Sequence, residues 1–304
     1  MPRPEPRELY ELEPDLPPLD QVVLVQALDG FLDAGAATKL TRTHLLKTLG
    51  SRVVARFDTD LLHDYRARRP PMLFVEDHWE SYDAPELAVH LLHDEAGRPF
   101  LLLAGPEPDV LWERFVQAVC LLLDDLGVRL VVGLNAIPMS LPHTRPVGVV
   151  AHGTRKELVD GSEPWIGTVT VPASAGHLLE FRLGQAGRDA IGFAAHVPHY
   201  VASAEFPAAA AALVRETAAA TGLVLPTGAL DDAAVTTRAA IDEQVAQSEE
   251  VQAVVTALEQ QYDSFVAGRG RSLLADSKDL PTADELGAEL ERFLAEQRGR
   301  GENG

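Results

Sequence analysis

The stretch Gln21–Gly50 limits what this chain can become more than any other. Val22–Val25 is an unbroken apolar run, and residues at both parities of a strand are hydrophobic only where both faces are covered. The run opens into the turn Asp29-Gly30-Phe31-Leu32-Asp33-Ala34-Gly35, and the turn opens into a helical stretch that Gly50 stops. A buried strand, a turn and a helix make the first half of a βαβ unit. In an open α/β sheet that turn lies at the carboxyl ends of the strands, where ligands gather.

The rest of the chain repeats the alternation. Strands are expected at Ser51–Phe57, Met72–Val75, Phe100–Leu103, Leu130–Leu134, Val147–Ala151, Ile166–Val171 and Ala190–Val197. Helices are expected at Ala84–His93, Val110–Leu126, Gly176–Gln185 and Ala208–Thr221, with a polar connection over Thr59–Arg69 and a proline-rich loop over Asn135–Trp165. From Asp231 to the end the chain is acidic, with sixteen Asp and Glu against seven Lys and Arg, and reads as helical. One helix is expected from about Asp232 to Ala267, ended by Gly268 and Gly270. A second follows, opened by the Thr282/Glu285 capping box and striped by Leu286, Leu290, Phe293 and Leu294. The pattern predicts a three-layer α/β/α sandwich with a mainly parallel sheet and a C-terminal helical extension. Its expected parts are a Pro-rich segment (1–20), a core (21–230) and an acidic extension (231–304).

Composition removes several functions. With 46% hydrophobic residues, 304 residues can bury a large core, and a net charge of −20 repels phosphate backbones and anionic membranes. Neither nucleic acid nor a membrane is expected as a partner. The single cysteine, Cys120, sits in an apolar run without an activating cation, which suits a reducing cytoplasm and an inert thiol. No signal-peptide core precedes the first strand.

The chemistry-bearing residues collect at strand ends and in the proline-rich loop. Asp29 and Asp33 flank the first turn, where a carboxylate either caps the following helix or does chemistry. Two acids at that mouth, with Lys39 more than a turn inside the helix, argue against a phosphate-binding glycine loop. Asn135, His143, Arg145, His196, His199 and Tyr200, with Asp29 and Asp33, are the candidate rim. Each imidazole taken alone reads as structural before catalytic. No His-x-x-x-His pair or cysteine cluster suggests a metal, no Gly-x-Ser-x-Gly elbow suggests a hydrolase, and no cofactor is expected.

Four stretches carry a family resemblance: DGFLDAGAATKL, PHTRPVGVVAHGTRKELV, the run from Pro164 to Leu183, and VPHYVASAEFPAAAAALV. They resemble the proteasome assembly chaperone family, in its second-chaperone branch and its long actinobacterial form. The resemblance implies a phosphorylase-like α/β/α sandwich, a homo-oligomer that is often a trimer, and binding of protein partners; it leaves the long form's own role open. Members that dock on the proteasome commonly finish with a hydrophobic residue, a tyrosine and one more. This chain finishes Glu302-Asn303-Gly304, so docking of that kind is not expected. The favoured reading is a non-catalytic cytoplasmic binding or assembly factor. Two others stay open: a nucleoside- or small-metabolite-binding enzyme, and an oligomeric structural protein.

Overall fold

Both parities of the first apolar run are buried, as its composition requires. In the computed structural model, which describes residues 5–162 and 168–271, that run lies in β2 (Val22–Asp29), near the centre of an eight-stranded sheet. The other strands of the sheet are β1 (Tyr10–Leu12), β3 (Arg52–Phe57), β6 (Ala88–His93), β7 (Pro99–Pro106), β8 (Val128–Met139), β9 (Val149–Gly153) and β10 (Ala190–Pro198). Their order is β1-β3-β6-β7-β2-β8-β10-β9. The central strands β7, β2, β8 and β10 are parallel neighbours. Every pairing outside that centre is antiparallel. A separate hairpin joins β4 (Met72–Val75) to β5 (His78–Tyr82).

The chain divides into two units, residues 1–139 with 146–241 and residues 140–145 with 242–304. In the first, α3 (Trp112–Asp125) and α4 (Ala175–Gln185) cover one face of the sheet, where Phe115, Leu122, Leu179 and Leu183 meet Val22, Leu24, Leu101 and Leu103. On the other face, α1 (Ala37–Leu49) and α5 (Pro207–Thr221) bring Leu45, Ala209 and Leu213 against Val23, Val25, Phe100 and Leu102. Alternate residues of each central strand therefore enter different cores, which makes three layers. Phe115 is fully buried, with its ring 5.1 Å from that of Phe57. Phe115→Ala is expected to lower unfolding free energy by about 3–5 kcal/mol, as read from the urea midpoint at unchanged slope. Cys120 lies on α3, partly buried, and burial pushes its thiol pKa up.

Several expectations are corrected. Residues 88–93 form strand β6, not part of a helix over Ala84–His93. Leu87, Val89 and Leu91 enter one core and Leu92 the other, and a strand filled on both faces imitates helical spacing. Met72–Val75 is a strand, but one outside the main sheet. The Thr59–Arg69 connection holds the short helix α2 (Thr59–Leu62), capped by Asp58, whose Oδ1 accepts from the Asp60 amide at 3.0 Å. The Pro-rich N-terminal segment supplies β1, paired with β3. Strand β8 continues past Leu134 to Met139 and takes in Asn135. No strand forms over residues 168–171; Ile166, with Pro164 and Trp165, lies outside the described residues.

The expected single C-terminal helix is two, α6 (Gly228–Ala246) and α7 (Glu249–Arg271). Ser248 starts the second, its Oγ accepting from the Val251 amide at 3.4 Å, with Glu249 and Glu250 in the first turn. Helix α7 runs through Gly268 and Gly270 instead of stopping there. The helix expected after Thr282 lies outside the described residues. Among those that are described, no helix is long and apolar enough to cross a membrane.

Candidate functional site

Strands β2 and β7 are parallel neighbours whose following helices go to opposite faces, α1 to one and α3 to the other. Chain leaving adjacent strands in opposite directions opens a crevice at their carboxyl ends. A cleft of about 500 Å³ lies there, bounded by Asp29, by Ala104–Pro106, by Arg42 and Leu46 of α1, and by the segments 68–71 and 83–86. That volume is in the range of small-molecule sites.

The cleft is charged and internally braced. The Arg42 side chain is only 13% exposed, and its Nη1 donates to Asp29 Oδ1 at 2.8 Å and to the Ala27 carbonyl at 3.2 Å. The His63 side chain is 7% exposed; its Nε2 hydrogen-bonds the Arg68 carbonyl at 2.7 Å, and Nδ1 lies 3.6 Å from Asp109 Oδ2. Arg68 grips Asp109 through Nη2 at 2.7 Å and Nε at 3.3 Å, and also donates to the Glu107 carbonyl. Burial alone would raise the Asp109 carboxyl, but Arg68 and the Asp64 amide hold it below the usual carboxylate range. Burial lowers the pKa of His90, and its Nδ1 is buried without a hydrogen-bond partner.

A second polar group lies under α4. Gln26, Gly133, Gly192 and His152 align in register across β2, β8, β10 and β9. A Cβ at Gly192 would come within 2.0 Å of the His152 ring, and one at Gly176 within 2.8 Å of Gln26 Oε1. These glycines are the space the polar side chains occupy. His152 Nδ1 is 2.8 Å from Glu180 Oε1, and His177 Nε2 is 3.4 Å from Asn135 Nδ2. Burial, then the neighbouring His152, lowers the His177 pKa. A carboxylate-held imidazole is the form of a general base, yet among the described residues no Ser, Thr or Cys side chain hydrogen-bonds to either ring. Beside this group the Glu107 carboxylate accepts from the amides of Ala175 and Phe31, joining the turn after β2 to the start of α4; burial pushes its pKa up.

The expected rim residues do not share one set of partners. Asp29 lines the cleft and pairs with Arg42. Asp33 caps α1, its oxygens accepting from the Thr38 amide at 2.8 Å and the Lys39 amide at 3.0 Å. Asn135 belongs to the group under α4. His196 lies on β10, its Nε2 buried without a hydrogen bond and its pKa lowered by burial. His199 and Tyr200 sit in a short 3-10 turn with rings 5.4 Å apart, edge to face. His143 and Arg145 belong to the second unit: His143 Nε2 is 2.9 Å from Asp242 Oδ1, and Arg145 is bound by Asp263 at 2.6 Å and Glu259 at 3.1 Å. Arg42, His63, Arg68, His90, Glu107, His177 and Glu180 were not on the expected rim. One sequence signal marked the group under α4: Gly192, alone inside the apolar strand, is the close approach of the His152 ring, the partner of Glu180. Among the described residues, no group of three or more His, Cys, Asp and Glu is placed to hold a metal ion.

A three-layer α/β/α protein with a crevice at the switch between parallel strands is the class this fold defines. Residues 27–245 match the PAC2 family, and the chain belongs to it. Among solved structures, Rv2714 of Mycobacterium tuberculosis, a protein of unknown function, is 49% identical with a TM-score of 0.84, over 87% of this chain and 92% of that one. A Corynebacterium glutamicum protein of unknown function is 39% identical with a TM-score of 0.82, over 85% and 98%. Rv2125 of M. tuberculosis, described as a proteasome-assembly chaperone homologue, is 26% identical with a TM-score of 0.71, over 77% and 100%. No curated protein matches the chain.

Proposed function

We propose that this PAC2 protein acts by binding other protein chains, its own copies included, and not by catalysis. It works in the cytoplasm as an assembly or chaperone-like factor, and its own assembly is a homo-oligomer, a trimer by family resemblance. One observation carries the reading. Every residue of strands β4 and β5 is exposed, and six of them are large and apolar, with Phe74 53% and Trp79 62% exposed. An isolated two-stranded hairpin is at best marginally stable in water, and an apolar patch of this kind marks a protein-binding surface. The description of Rv2125 as a chaperone homologue agrees with it.

Light scattering on the full chain is expected to give a multiple of the protomer mass. Phe74→Ser with Trp79→Ser is expected to shift it toward the protomer while the thermal midpoint of the folded core persists. A monomeric wild-type chain, or an unchanged mass in the double variant, overturns the hairpin's role.

A further inference from the structure

Internal pairing accounts for most of the charge around the cleft between β2 and β7. Arg42 is taken by Asp29, Arg68 by Asp109, and Glu86 by Arg56, with Nε to Oε1 at 3.3 Å. Two charges are left over. Among the described residues nothing pairs with the exposed Arg69 guanidinium or the exposed Asp83 carboxylate, and both border the same cleft.

They are anchored close together in the fold. The Asp83 amide donates to the Pro71 carbonyl at 3.1 Å, one rung beyond the Met72–Tyr82 pair of the hairpin, and Arg69 is two residues before Pro71. Pro70, Pro71 and Pro85 stiffen that lip. Opposite charges that share a cleft without closing on each other suit a molecule carrying both signs. A purely anionic ligand would meet Asp29, Asp83 and Glu86, and a purely cationic one Arg42, Arg68 and Arg69. Leu46, Pro85 and Pro106 give a hydrocarbon wall.

We infer that this cleft binds a small zwitterion of amino-acid or dipeptide type, its carboxylate on Arg69, its ammonium on Asp83 and its hydrocarbon along the proline wall. The inference goes beyond the assembly reading and does not depend on it. Titration calorimetry on the full chain tests it with glycyl-L-leucine, N-acetyl-glycyl-L-leucine and glycyl-L-leucinamide. The free dipeptide is expected to bind, and each blocked analogue to bind at least about tenfold more weakly. Arg69→Ala and Asp83→Asn, both on exposed side chains, are expected to weaken the free dipeptide by a similar factor at unchanged thermal midpoint and unchanged mass. Equal affinity for a blocked analogue, wild-type affinity in either variant, or no heat at millimolar dipeptide each overturns the inference. Because the mass is read separately, failure here is distinguishable from failure of the assembly reading.

Discussion

Replacing Gly105 by alanine is expected to destabilise the chain by about 2–6 kcal/mol. Two penalties act together. Gly105 has φ +128°, a backbone conformation essentially reserved for glycine, and forcing a side chain into it costs about 1–3 kcal/mol. An added Cβ would stand 2.1 Å from the Glu86 carbonyl oxygen and 2.7 Å from Leu87 Cα, which are backbone atoms that no rotamer change can move aside. Relieving that overlap adds about 1–3 kcal/mol more. The substitution also strikes the cleft, since Gly105 lies on its floor and Glu86 on its lip. Gly228, where a Cβ meets nothing within 4 Å and φ is ordinary, is the control, and Gly228→Ala is expected to be close to neutral. Urea unfolding of the three proteins decides it: a Gly105→Ala midpoint equal to wild type would mean that the close approach to Glu86 relaxes without cost.

Gly105 also shows which parts of the fold were legible in the sequence. Read as a turn residue, Gly105-Pro106 ends a strand; in the fold it allows β7 to finish against the chain entering β6, a contact between segments that no local pattern encodes. The parallel centre was legible because strands buried on both faces must be apolar at both parities, and Val22–Val25, Phe100–Leu103 and Leu130–Leu134 are. The same property hid β6, whose doubly filled pattern Leu87, Leu91, Leu92 fits a helix equally well. His90 was thereby placed on a helix, away from the cleft it borders. The acids after β2 were legible as a charged mouth, and the structure divides their work: Asp33 caps a helix and Asp29 holds Arg42. The cleft as a whole was not, because Arg42, Arg69, Asp83 and His90 come from four different segments. Their meeting depends on strand order, which is set by three-dimensional packing.

Asp94→Ala is expected to cost about 2–4 kcal/mol at neutral pH, because three backbone amides and the half-exposed Arg98 guanidinium lose one charged acceptor together. The Asp94 side chain is completely covered and receives five hydrogen bonds. The amides of Ala96 at 3.0 Å and Arg98 at 2.8 Å close the β6–β7 turn on it, and Arg98 Nε at 2.9 Å and Nη2 at 2.7 Å pair with it. The fifth, from the Val224 amide at 2.8 Å, fastens the segment after α5 to that turn, and Glu95 N–H to the Val224 carbonyl at 3.0 Å and Arg98 to the Gly222 carbonyl support it. Burial by itself would raise the carboxyl, but the Val224 and Arg98 amides and the Arg98 guanidinium outweigh it, and the pKa lies below the ordinary value. The sign of the pH dependence follows. A carboxyl whose folded value is depressed contributes stability that is present above its unfolded value, about 3.9, and is lost as pH falls through the folded one. The gap in unfolding free energy between wild type and Asp94→Ala is therefore expected to be widest near neutrality and to narrow steadily below about pH 4. A gap that stayed constant through that range would assign the cost to lost packing and the turn's geometry, and would deny the charge its role in holding the end of α5 to the sheet.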